Sequence, residues 1–247
     1  KIFNLSKRYD FKVIEDASHA VGAKYQEEYI GNCRYSDIAI FSFHPVKIIT
    51  SAEGGIALTN NKVLADNMRL HRSHGITRNK ELMEEKTPAP WYYEQIDIGF
   101  NYRMTDLQAA LGMSQLAKLD YFVTKRNNIA KRYNELLADL PLSLPVINPD
   151  NYSAFHLYIV QIKIEELEIS QKEIFNYLIR NGINVNLHYI PVHTQPFFRK
   201  LGFKKNDFHK SMAYYSKAIS LPIYPALEEQ QQEFIILKIK ELIKNKS

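Results

Sequence analysis

The chain has 247 residues, of which 45% are hydrophobic and 24% charged; that balance excludes a disordered, collagen-like or disulfide-stapled protein and leaves room for one large or two small domains. Its formal charge of +5 comes from Lys and Arg spread along the chain, so a mildly basic surface is expected and no nucleic-acid face. The single Cys33 cannot close an internal disulfide, which predicts a reducing, cytoplasmic setting, and no apolar run is long enough for a bilayer.

Lys1–Asp10 has no initiator Met and is read as leading straight into a core strand, so the chain is expected to be an internal fragment. Phe11–Asp16 reads as a buried strand, with Val13 and Ile14 apolar and a carboxylate at its end. Asp37–Phe43 is a second buried strand. Gly54-Gly55 marks a turn and Ile56–Thr59 a third strand. Lys62–His71 has helical spacing and stops near Gly75, a candidate C′ glycine. Arg78–Glu94, with two prolines and the only Trp, reads as a loop longer than the usual 4–6 residues or so; such loops often carry function.

Thr105-Asp106-Leu107-Gln108 is a capping-box signature, and the helix it opens puts Ala109, Gly112, Leu116 and Leu119 on one face. A second helix is expected over Lys125–Leu140, closed by Pro141 and Pro145, which mark a domain boundary. Beyond them the pattern is a small α/β unit. His156–Ile162 alternates as a strand, Ser170-Gln171-Lys172-Glu173 is another capping box, and Asn181-Gly182 ends its helix. Asn184–Ile190 alternates again, and Glu228–Lys244 is an amphipathic helix whose wet face accounts for the basic run Lys238–Lys246.

Chemistry-bearing residues concentrate in the first third: Glu15-Asp16-Ala17-Ser18-His19-Ala20, then Phe41-Ser42-Phe43-His44-Pro45-Val46-Lys47, then Glu53-Gly54-Gly55. Asp16 stands where α/β sheets place ligands, although an Asp taken alone at such a place is more often a helix cap. Lys47 follows apolar Phe41, Phe43, Pro45 and Val46; a Lys against such walls can serve as an imine-forming nucleophile, while an ordinary Lys keeps its head in water. His44, His188 and His193 make no close ligand set and no HExxH spacing occurs, so no metal is expected.

EDASHA, FSFHPVK and EGG, in that order, resemble the DegT/DnrJ/StrS family of pyridoxal-phosphate aminotransferases. The resemblance continues through Gly99-Phe100-Asn101-Tyr102-Arg103-Met104-Thr105-Asp106 and His188-Tyr189-Ile190-Pro191-Val192-His193, covering nearly the whole chain. It implies an α/β aminotransferase of fold type I, with a large domain truncated at its N-terminus over residues 1–123 and a smaller C-terminal α/β domain over 124–247. The family's glycine-rich phosphate loop, expected upstream of EDASHA, lies outside the sequence.

By the same resemblance, Lys47 holds the coenzyme and acts as the catalytic base, and Asp16 meets the pyridine nitrogen. His19 stacks on the ring, and Ser42 binds the phosphate. Asn101 reaches the phosphate of a neighbouring subunit, which implies a homodimer with a shared active site. Arg103, His188, Tyr189 and His193 are implied as substrate contacts. For single residues a local role stands beside each of these: a backbone-satisfied His19, a locally bonded Ser42, a turn at Asn101, a surface ion pair for Arg103. SFHPVK followed by SAEGG most resembles the branch that aminates C4 of a UDP-linked 4-keto-6-deoxy-N-acetylhexosamine, with glutamate as donor, toward pseudaminic acid. A C3 or dTDP-sugar aminotransferase and a non-catalytic coenzyme-binding regulator are the alternatives. A related sugar dehydratase is disfavoured because such dehydratases carry His where this chain has Lys47.

Overall fold

In the computed structural model, residues 1–86, 88–167 and 169–244 are described, and the chain divides into two compact units, Lys1–Leu119 and Asp120–Ser247. The first contains α1 (Ile2–Tyr9), β1 (Ile14–Asp16), β2 (Lys24–Tyr25), β3 (Glu28–Tyr29), β4 (Ile38–Ser42), β5 (Gly55–Leu58), α2 (Lys62–Arg72), β6 (Ile76–Thr77), β7 (Glu94–Gln95) and α3 (Asp106–Leu116). The second contains α4 (Leu119–Leu137), β8 (Leu142–Ser143), β9 (Asn151–Tyr152), β10 (Tyr158–Ile162), α5 (Gln171–Arg180), α6 (Pro196–Lys200), α7 (His209–Tyr215), β11 (Ala218–Leu221) and α8 (Glu229–Lys244).

In the first unit β1 and β4 run parallel, with Asp16 opposite Ile40, and β5 returns antiparallel to β4, with Ser42 opposite Gly55. Side chains alternate across the sheet, so Ala39 and Phe41 turn into the unit and are buried. Ile14, Asp16 and Ile40 share the other face. Ile14 is 62% exposed there, which corrects its expected place in a buried strand: the pleat sends it outward with Asp16. Lys1–Asp10 opens with helix α1 rather than running straight into a strand. Helix α2 begins at Asn61, whose side chain accepts from the Val63 and Leu64 N–H groups, and the Gly75 N–H returns to the Leu70 carbonyl.

The capping box at Thr105 forms with both reciprocal bonds to Gln108. Leu119, expected on the face of α3, instead starts α4. Thr87, inside the long loop, lies outside the described residues, as do the last residues of the basic run.

The second unit is built on the antiparallel order β11-β10-β8. Along β10 buried positions alternate with half-buried ones, while all four residues of β11 are buried. Ile129, Tyr133 and Leu137 of α4, Ile174 and Leu178 of α5, and Ile235, Ile239 and Leu242 of α8 form one apolar core with this sheet. That core explains where the units divide. Helix α4 ends at Leu137 and gives its apolar face to the second unit, so the division falls at 119/120 and not at Pro141. Buried Tyr133 and Tyr158 lie with ring centroids 4.9 Å apart; the first donates to the Pro222 carbonyl at 3.0 Å, the second to Asn134 Oδ1 at 2.6 Å. Arg126, 5% exposed, donates from Nη1 to the carbonyls of Phe155, His156 and Ile223.

The capping box at Ser170 also forms, and α5 ends at Asn181. Asn184–Ile190 is not a strand. Among the described residues of this segment only Asn186 pairs, exchanging backbone bonds of 3.2 and 2.8 Å with Ser220, and Pro191 then leads into a short 3-10 turn.

Candidate active site

The two parallel strands of the first unit end side by side, and their carboxyl ends carry the residues singled out in the sequence. Open α/β sheets bind ligands at such ends. Asp16 is the last residue of β1. Because it stands opposite Ile40, Ser42 lies on the same face, one pleat further along β4. The chain then turns: the Lys47 N–H donates to the His44 carbonyl at 2.9 Å, and the Ser51 N–H and Thr50 hydroxyl both donate to the Phe43 carbonyl at 3.0 Å. Lys47 is half-buried, flanked by exposed Val46 and buried Ile48.

The Asp16 carboxylate is exposed but held in place. Its Oδ1 accepts from the Ser18 hydroxyl at 2.6 Å and from the Ser18 N–H at 3.1 Å. These two bonds hold Asp16 below the usual carboxylate range; the charges of His19 and Lys47 act in the same direction. His19 and Lys47 each lie within electrostatic reach of Asp16. Ser18 was not singled out by the sequence motifs, although Asp-x-Ser spacing is a recognisable side-chain turn.

Glycines close the turn around Lys47. A Cβ on Gly55 would lie 2.6 Å from the Phe41 carbonyl oxygen, and one on Gly54, where φ is +148°, would lie 2.5 Å from Met104 Cε and from Ser51 Oγ. Both positions thus require glycine. The second contact also brings the Asn101–Asp106 segment against the turn that follows Lys47. Glu53 lies 3.8 Å from His44, and Ser51 is fully buried.

Asn101 is exposed and forms an isolated bridge with Ser73, while the Phe100 and Tyr102 N–H groups donate to the His71 and Arg72 carbonyls. The Phe100 and Tyr102 rings stack 4.8 Å apart. Arg103 is exposed.

In the second unit, His188 Nδ1 lies 2.7 Å from Ser220 Oγ, and Tyr189 is 61% exposed. His193 is 7% exposed; its Nε2 meets the Lys205 carbonyl at 3.1 Å and its ring packs edge-on against Phe208. Among the described residues there is no group of three or more His, Cys, Asp or Glu that could hold a metal, and no helix is long and apolar enough to cross a membrane.

The donor set fits pyridoxal 5′-phosphate: an amine, a carboxylate kept ionised, and a hydroxyl on an adjoining strand end suit its aldehyde, its ring nitrogen and its phosphate. The comparisons point the same way. The protein is similar to an uncharacterized protein, MJ1066, of Methanocaldococcus jannaschii, 38% identical over 98% of this chain and 63% of the relative. It is similar to a UDP-4-amino-4,6-dideoxy-N-acetyl-beta-L-altrosamine transaminase of Campylobacter jejuni, 35% identical over 95% of this chain and 59% of the relative. Among solved structures, Helicobacter pylori PseC, an aminotransferase involved in the biosynthesis of pseudoaminic acid, superposes with a TM-score of 0.87 at 29% identity, over 99% of this chain and 62% of that one. The chain thus spans about three fifths of the length of these relatives. The family model for DegT/DnrJ/EryC1/StrS aminotransferases, enzymes that use pyridoxal phosphate, matches residues 1–240, and the chain belongs to that family.

Proposed function

We propose that this protein moves an amino group from glutamate to the keto carbon, C4, of a UDP-linked keto-deoxy sugar, as a step toward a surface glycan of the pseudaminic acid type. The observation that carries the reading is the ionised Asp16 carboxylate within electrostatic reach of Lys47, with Ser42 one pleat away on the neighbouring parallel strand. The similarity to a Campylobacter jejuni sugar transaminase and to PseC supports the choice of substrate class.

Pyridoxal phosphate, when bound, supplies an electron sink for the charge left as a proton departs from the amino donor. Lys47 Nζ would hold the coenzyme and, as a free amine, would serve as the base that moves the proton of the amino donor's α-carbon. Asp16 keeps a proton on the pyridine nitrogen, and Ser18 keeps Asp16 ionised for that task. The Ser42 hydroxyl would hold the coenzyme phosphate and His19 would stack on its ring. Asn101 reaches the phosphate of a second copy, so the working form is a homodimer. Arg103, His188, Tyr189 and His193 are the residues assigned to the sugar nucleotide, His193 being the most buried of them. The first unit is then the coenzyme-binding part of a fold-type I enzyme and the second its small domain.

The test is incubation of the protein with pyridoxal phosphate, glutamate and a panel of UDP- and dTDP-linked keto sugars, with products read by mass spectrometry and NMR. A 4-amino sugar formed from the UDP-linked 4-keto-6-deoxy-N-acetylhexosamine is expected. Conversion of the coenzyme to its amine form by glutamate, followed by no amination of any sugar in the panel, would overturn the substrate assignment.

A further inference from the structure

Ser220 sits inside β11, 5% exposed, and all its polar groups are engaged. Its N–H donates to the Asn186 carbonyl at 2.8 Å and its carbonyl accepts from the Asn186 N–H at 3.2 Å. Its hydroxyl lies 2.7 Å from His188 Nδ1. The backbone pair is the one place where the 184–190 segment is tied to the sheet by an isolated bridge, and it sets His188, two residues on, beside the hydroxyl.

We propose that Ser220 is a positioning residue for substrate recognition, its buried hydroxyl fixing the His188 ring with the proton on Nε2. A buried O–H that finds no acceptor costs the full desolvation of the group. Among the acceptors recorded for this hydroxyl in the described residues there is only His188 Nδ1, so the hydroxyl donates and Nδ1 accepts. A neutral imidazole that accepts at Nδ1 carries its hydrogen at Nε2. In that tautomer the Nε2 of His188 is a donor and not an acceptor, the form that suits a hydroxyl, carbonyl or phosphate oxygen of a sugar nucleotide. Ser220 itself touches no substrate. A site built to donate one hydrogen bond selects for substrates with an acceptor at that place. The inference rests on the sugar-aminotransferase reading for its consequence, but not for its geometry.

The experiment uses the whole chain with 15N-labelled histidine. His188 is assigned among the eight histidines by its loss in His188→Gln. The wild-type protein is expected to show a single neutral tautomer with the hydrogen on Nε2 and a hydrogen-bonded Nδ1. Ser220→Ala is expected to shift the Nδ1 resonance and to raise KM for the sugar nucleotide about tenfold, the scale of one lost hydrogen bond at a buried site, with kcat nearly unchanged. A wild-type His188 protonated on Nδ1, or ring signals that do not move in Ser220→Ala, would overturn the proposal whatever happens to KM. The wild-type tautomer decides the matter even where the variant fails to fold. If no keto sugar is aminated while the tautomer is as expected, the substrate reading fails and the Ser220–His188 relationship stands.

Discussion

Ser18 grips Asp16 twice through a single carboxylate oxygen: the hydroxyl donates to Oδ1 at 2.6 Å and the backbone N–H to the same atom at 3.1 Å. The pair makes the carboxylate a fixed, ionised acceptor at the end of β1 before any ligand arrives.

Ser18→Ala should therefore raise the Asp16 pKa toward the ordinary value near about 3.9. The sign is that of a depressed acid: the stabilisation is complete above the unfolded value and is lost as pH falls through the folded one. A 13C titration of the Asp16 carboxyl carbon checks this. An unchanged midpoint in the variant would show that the Ser18 bonds are not what holds Asp16 down.

Asp16→Asn keeps a polar group of the same size but removes the charge. Turnover should drop about 10²- to 10³-fold, the scale seen when one preorganised electrostatic partner of a reacting group is lost. Coenzyme affinity should change by less than about tenfold, because Ser42 and Lys47 still hold the other groups. Steady-state kinetics together with coenzyme titration separate the two effects, and full turnover in this variant removes the role assigned to Asp16.

Gly55→Ala puts a methyl 2.6 Å from the Phe41 carbonyl oxygen, a backbone atom of the strand that ends in Ser42. The strands must part locally, at a cost of about 1–3 kcal/mol for overpacking, and Ser42 moves with them. Thermal unfolding should come at a lower temperature, and coenzyme binding should weaken in step. An unaltered melting temperature would contradict the packing described for this turn.

Arg126→Met fills much the same volume but deletes the donor shared by the carbonyls of Phe155, His156 and Ile223. Leaving buried acceptors unmet costs about 1–3 kcal/mol each, so this variant should lose stability of that order or more in urea unfolding. Stability equal to the parent's would mean that the three carbonyls find other donors. The change lies in the second unit, so lysine-bound coenzyme should survive in whatever fraction folds.

Much of this was legible in the chain. Thr105 with Gln108 and Ser170 with Glu173 announce their helices because the capping box is local, needing only the right residues three apart. The Asp16, Ser42 and Lys47 positions were legible through motif resemblance, and the parallel register of β1 and β4 gives two of them a common face. What escaped depends on distant partners or on unusual local geometry. Asn184–Ile190 alternates like a strand, yet among the described residues of this segment Asn186 alone forms a backbone bridge, with Ser220. Helix α1 carries no N-cap side-chain bond to announce it. The β2–β3 hairpin turns at Gln26 and Glu27, both with positive φ, and a Gln-Glu turn gives none of the Asn-Gly or Asp-Gly signal that usually marks such a bend. Ser18 and Ser220 were missed for a related reason: their importance lies in whom they touch, and the second is 32 residues from its partner.

Lys47 is the residue on which the proposed chemistry depends, since it would carry the coenzyme. Borohydride treatment of the protein loaded with pyridoxal phosphate, followed by digestion and peptide mass spectrometry, reads that attachment directly. The account predicts the pyridoxyl mass on the peptide containing Lys47 and its loss in Lys47→Ala. Stoichiometric label on another lysine, or label that persists in Lys47→Ala, would contradict it.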